Sequence, residues 1–140
     1  MKPRITVLTL GVSDLERALA FYRDGLGLET QGIVGTEFEG GAVAFFELEG
    51  GVMLALWPVA ELAKDSGVPA GSAGTVRTSI GHNVRTREEV DAVLEQARRA
   101  GATVTKEPSD TVWGGYSAYF LDLDGHAWEL VWNPQLLPPT

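Results

Sequence analysis

The chain has 140 residues, 44% of them hydrophobic and 21% charged, which suits one globular domain or two small modules sharing a core. Eleven Lys and Arg against nineteen Asp and Glu leave a net charge of −8, so the chain lacks the basic footprint of a nucleic-acid binder and repels anionic membranes. With no cysteine, disulfides, thiolate zinc sites, iron–sulfur clusters and thiol nucleophiles are excluded.

No apolar run approaches the ~20 residues of a membrane span, and MKPRITVLTLGV has no cleavable signal pattern; a cytoplasmic location is expected. Leu8, Leu10 and Val12 alternate onto one face and predict a first strand. Ser13-Asp14-Leu15-Glu16 follows as a capping box, in which a hydroxyl caps the helix and a Glu three residues on reaches back. Leu15, Ala18, Leu19 and Tyr22 then make a helical stripe that Gly25 and Gly27 end. A short strand is predicted around residues 33–38. After it, Phe45-Phe46-Glu47-Leu48-Glu49-Gly50 and Leu54-Ala55-Leu56-Trp57 read as a β-hairpin turning on an acidic–Gly pair. Residues 64–74, with Gly67, Pro69, Gly71 and Gly74, read as a linker.

The same order then recurs. Ile80, His82 and Val84 alternate, Thr86-Arg87-Glu88-Glu89 is a second capping box, and Val90, Val93, Leu94 and Ala97 form a stripe that ends at Gly101. A strand around residues 103–106 leads to Phe120-Leu121-Asp122-Leu123-Asp124-Gly125 and Glu129-Leu130-Val131-Trp132, which overlie the first hairpin at a constant offset of 75. The chain is therefore read as an α+β protein of two tandem β-α-β-β-β modules, about residues 1–60 and 75–135, within one domain of residues 1–140.

Phosphate loops, dinucleotide fingerprints, nucleophile elbows and H-E-x-x-H are all missing. Asp122-Leu123-Asp124-Gly125 lacks the later acidic ligands of a calcium loop and reads as a hairpin turn.

Three phrases resemble the vicinal-oxygen-chelate superfamily, which holds glyoxalases, extradiol dioxygenases, fosfomycin-modifying enzymes and bleomycin-resistance proteins. They are Leu10-Gly-Val-Ser-Asp14-Leu-Glu-Arg-Ala, Phe21-Tyr-Arg-Asp-Gly-Leu-Gly27-Leu and Phe120-Leu-Asp-Leu-Asp-Gly-His-Ala-Trp-Glu129-Leu, and the likeness spans nearly the whole chain. It implies a curved sheet, built from both modules, around a cleft. It also implies metal-ligand positions on the first and last strand of each module. Carried onto this chain, those positions hold Val7, Leu54, Ser79 (or Ile80) and Glu129. One carboxylate cannot hold a divalent ion where catalytic sites typically use about three protein ligands, so no cofactor is expected. Strand parity sets His82 beside Val84 on the helix-facing side, as a buried core histidine; a β-bulge would reverse this and leave a divalent metal on Glu129 and His82 as the remaining reading.

The cleft walls are expected to include Thr9, Ala44, Leu54 and Leu56 from module one. Ser79 and Asn83 join them from module two, with Ser117 and Tyr119 on the same side as Glu129. Trp113-Gly114-Gly115-Tyr116 reads either as an aromatic gate over a pocket or as a plug at the barrel end. Trp128, of opposite parity to Glu129, is assigned to the helix–sheet core, and His126, beside the turn, to the surface. Glu129 can serve as a general base, accept a ligand's N–H or O–H, or stand as a relic carboxylate. Two functions follow. One is a metal-free binder of a small, partly apolar or aromatic molecule, resembling the bleomycin-resistance branch. The other is an enzyme of lyase, transferase or dioxygenase type that uses Glu129 as its acid–base group or in an altered metal site. The resemblance also implies a homodimer.

Overall fold

In the computed structural model, which describes residues 1–140, the first alternating run forms β1 (Val7–Val12) and the capped stripe forms α1 (Leu15–Ala20). The cap of α1 is Asp14, not Ser13: its carboxylate accepts from the Arg17 amide at 3.1 Å. The helix then widens into a π-helical turn, Phe21–Gly25, closed by the Leu26 amide on the Phe21 carbonyl at 2.9 Å. Strands β2 (Thr30–Val34), β3 (Val43–Glu47) and β4 (Met53–Pro58) follow, so β2 begins and ends earlier than the alternation predicts. Helix α2 (Val59–Ser66) takes up the start of the expected linker. The second half gives β5 (Ser79–Val84), α3 (Arg87–Arg99), β6 (Thr103–Asp110), β7 (Tyr116–Leu121) and β8 (Ala127–Trp132).

The chain divides into two compact units, Met1–Ser72 and Ala73–Thr140. Each holds one four-stranded mixed sheet, ordered β1-β4-β3-β2 in the first and β5-β8-β7-β6 in the second. In each, the first strand runs parallel to the last, which requires the helix to cross over, and the other neighbours are antiparallel.

In the first unit Leu10, Val12, Ala44, Phe46, Leu54 and Leu56, on one side of the sheet, are buried together with Ala18, Leu19 and Tyr22 of the helical segment. Tyr22 and Phe46 meet with ring centroids 6.0 Å apart. In the second unit Val84, Phe120, Trp128 and Leu130 pack with Val90, Leu94 and Ala97 of α3, and Phe120 stacks on Trp128. Trp128 is thus a core residue, as its parity requires.

Register places corresponding residues of the two units. Val12 pairs with Pro58 and Val84 with Trp132, while Ala44 pairs with Leu56 and Ala118 with Leu130. The hairpins therefore correspond at an offset of 74, one less than the sequence overlay gives. Because side chains alternate, that single residue exchanges the two faces of the sheet.

Candidate functional site

Glu129 lies mid-way along β8, with Gly81 of β5 on one side and Tyr119 of β7 on the other. Directly paired residues point to the same face of a sheet, so the face opposite α3 carries Glu129 and Tyr119 together with Ser79 and Asn83 of β5, Ser117 of β7 and Val131 of β8. The Tyr119 hydroxyl donates to Glu129 Oε2 at 2.9 Å. That bond, reinforced by burial and by the carboxylate's charge, raises the Tyr119 pKa above the usual 10.0. Ser117 is buried beside the pair, and Asn83 Nδ2 donates to the Leu136 carbonyl of the C-terminal tail at 3.4 Å. Gly81, with no side chain, leaves open space next to the carboxylate.

A cavity of about 470 Å³ opens on this face towards the start of β5, lined by Tyr119, Ser79 and Thr105 and by segment 74–78. Gly125 of the β7–β8 turn fixes that segment. A Cβ at Gly125 would overlap the backbone nitrogen of Gly74, and its φ of +85° also favours glycine. The turn is held from within by Asp122, whose buried carboxylate accepts from the Asp124 and His126 amides at 2.9 and 2.8 Å. Asp122 is therefore a turn residue. His126, expected at the surface, is half-buried there.

Several expected site residues lie elsewhere. Leu54 pairs with Leu8 and Phe46 and is fully buried in the first unit's core, as are Ala44 and Leu56. The counterpart of Glu129 is instead Ala55, which pairs with Thr9; Thr9, Val7 and Phe45 share that face. Tyr116 pairs with Trp132 on the α3 side of its sheet, where its hydroxyl donates to Asp91 Oδ1 of α3 at 2.8 Å. There the Arg87 guanidinium covers both the Tyr116 and Trp132 rings, at 4.9 and 5.1 Å, and pairs with Asp110 at 2.6 Å. Tyr116 is thereby a clamp between helix and sheet. Trp113 folds its ring back over Gly115, where any side chain would collide with it, and stays half exposed.

His82 is another. It stands in unbroken register with Leu130, so its side chain leaves on the opposite face from Glu129 and the two cannot share a metal. It is exposed rather than buried. His82 keeps the face its parity predicts but is left uncovered, because β5 is an edge strand and no helix after β8 corresponds to α2, which packs on β1 in the first unit.

The donor set does not fit a divalent ion. At the corrected family positions stand Val7, Ala55, Ser79 and Glu129, of which two offer no donor and one offers only a neutral hydroxyl. Within either unit no three His, Asp or Glu side chains converge.

Two β-α-β-β-β units with a carboxylate on the open face of the last strand define a duplicated α+β binding or catalytic scaffold. The profile of the glyoxalase/bleomycin resistance protein/dioxygenase superfamily matches residues 4–130, and the chain belongs to that superfamily. It is similar to the crystal structure of a glyoxalase-related enzyme from Fulvimarina pelagi, with 32% identity, a TM-score of 0.81 and coverage of 94% of this chain and 89% of the other. A glyoxalase/bleomycin resistance protein/dioxygenase from Nocardioides is 30% identical at a TM-score of 0.74, over 100% of this chain and 89% of that one. Lactoylglutathione lyase of Arabidopsis thaliana is 28% identical over 86% of this chain and 41% of its own length. The chain thus spans less than half the length of the curated relatives it matches.

Proposed function

We propose that the Glu129 face of the second unit binds a small, partly apolar or aromatic molecule, without the four-ligand metal site of the family's metalloenzymes. The observation that carries this reading is the Tyr119–Glu129 hydrogen bond at 2.9 Å, on a face whose other family position, Ser79, offers only a neutral hydroxyl. A carboxylate oxygen occupied by a phenol is a poor start for a metal site. The pair is instead a ready acceptor for a ligand's N–H or O–H, beside open space at Gly81.

The chain acts in this reading as one domain, a homodimer in the cytoplasm; no helix is long and apolar enough to cross a membrane. The test is elemental analysis after incubation with nickel, zinc, manganese and iron, alongside a thermal-shift screen of small aromatic compounds. Wild type is expected to retain no stoichiometric metal and to be stabilised by compounds whose effect is lost in Glu129→Gln. Stoichiometric metal that disappears in Glu129→Ala would overturn the metal-free reading.

The same pair favours a second reading. Glu129 can take a proton from a substrate, with Tyr119 holding the carboxylate in place. Glu129→Gln would then abolish turnover and leave the fold intact; unchanged turnover ends that reading.

A further inference from the structure

Among the side chains lining the cavity beside Tyr119, none is acidic, in a chain whose net charge is −8. Its one charged group is Arg77, which is in no ion pair. Arg23, Arg87, Arg98 and Arg99 each pair with a carboxylate, while Arg4, Arg17 and Arg85, like Arg77, do not. The other polar groups are hydroxyls, from Thr78, Ser79, Thr105 and Tyr119, and the remaining wall is apolar, from Val76, Leu121 and Ala127.

We propose that this cavity takes a small molecule with an anionic oxygen group, a carboxylate or a phosphate monoester, on an apolar or aromatic body. The inference rests on the reading of this face as a small-molecule site and adds the chemical class of the ligand. Arg77 supplies a planar fork of N–H donors that matches two oxygens of either anion, and the hydroxyls of Thr78 and Ser79 follow it directly in the chain. The apolar body lies over Leu121 and Ala127, and its far end reaches Tyr119. At 470 Å³ the space falls within the range of about 300–1,000 Å³ usual for small-molecule sites. Segment 74–78, which carries Arg77, packs its Gly74 backbone closely against Gly125 of the β7–β8 turn.

The experiment titrates the whole protein with phenylacetate, phenyl phosphate, 2-phenylethanol and 2-phenylethylamine, following the backbone amide resonances. The two anions are expected to shift the amides of residues 76–79, 105, 119–121 and 127 saturably, with the alcohol and the amine at least tenfold weaker. Arg77→Gln is expected to weaken the anions at least tenfold and leave the remaining spectrum unchanged. Preference between phenylacetate and phenyl phosphate identifies which anion the fork suits. Equal binding of all four probes, or anion binding unaffected by Arg77→Gln, overturns the anion assignment and leaves the small-molecule site standing. No saturable shift with any probe overturns it as well. The broader reading is judged separately, by the Glu129→Gln thermal-shift comparison.

Discussion

Ionising Tyr119 would remove the donor of its bond to Glu129 and set a second negative charge beside the carboxylate, so its phenol holds its proton to higher pH than usual. The folded state then binds that proton more tightly than the unfolded chain. Stability from the pair is therefore complete below the ordinary phenol pKa of about 10 and is lost as pH rises through the elevated folded value. Glu129→Gln keeps an acceptor but removes the charge, and is expected to lower the Tyr119 titration midpoint. Tyr116, raised in the same direction by Asp91, is expected to keep its own. Carbon NMR of ring-labelled tyrosine separates the chain's three tyrosines. An unmoved Tyr119 midpoint would show that the pair does not form in solution.

At the scale of elements, helix α3 shows how local chemistry fixes a boundary. Thr86 Oγ1 accepts from the Glu89 amide at 3.1 Å, as the sequence box implies, while Glu89 Oε2 reaches back one residue further than the box requires and accepts from the Arg85 amide at 2.9 Å. Thr86→Ala is expected to cost about 1 kcal/mol, within the roughly 0.5–2 kcal/mol range for such caps, read as a lowered denaturant midpoint at unchanged slope. An unchanged midpoint would mean that water replaces the hydroxyl at no cost. The first box was legible only to within one residue: Ser13 and Asp14 are both good caps, and backbone geometry selects Asp14. The extent of β2 was less legible still. Its register shifts between Thr30 and Ile33, where Gly32 takes a positive φ, and no alternation rule survives such a shift. Strand β6 is shifted in the same way, which hid Thr105 from the site. Arg77 lies in a bend before β5, outside the strand pattern, so alternation says nothing of its side chain.

At the scale of the whole chain, the duplication is written plainly in the caps, stripes and hairpins, and both sheets follow it. The faces are another matter. Adjacent apolar residues, Phe45-Phe46 in one hairpin and Leu54-Ala55-Leu56 in the other strand, satisfy either offset, and only strand pairing distinguishes them. Glu129, Tyr119 and Ser117 share one face, as counting from a unique carboxylate predicts; Leu54, counted from the ambiguous run, falls on the buried face instead. Self-association is the remaining property at this scale. Open sheets must protect their edges, and β6 does so with Lys106, Glu107 and Asp110. Edge strand β1 carries no charge from Val7 to Val12 and leaves Val7 and Leu8 exposed, a surface suited to a second copy of the chain. Sedimentation at micromolar concentration is expected to give a species of twice 15.0 kDa, and Val7→Lys to shift it towards the monomer. A 15.0 kDa wild-type species would refute the dimer and leave the apolar edge of β1 to be explained by something other than self-association.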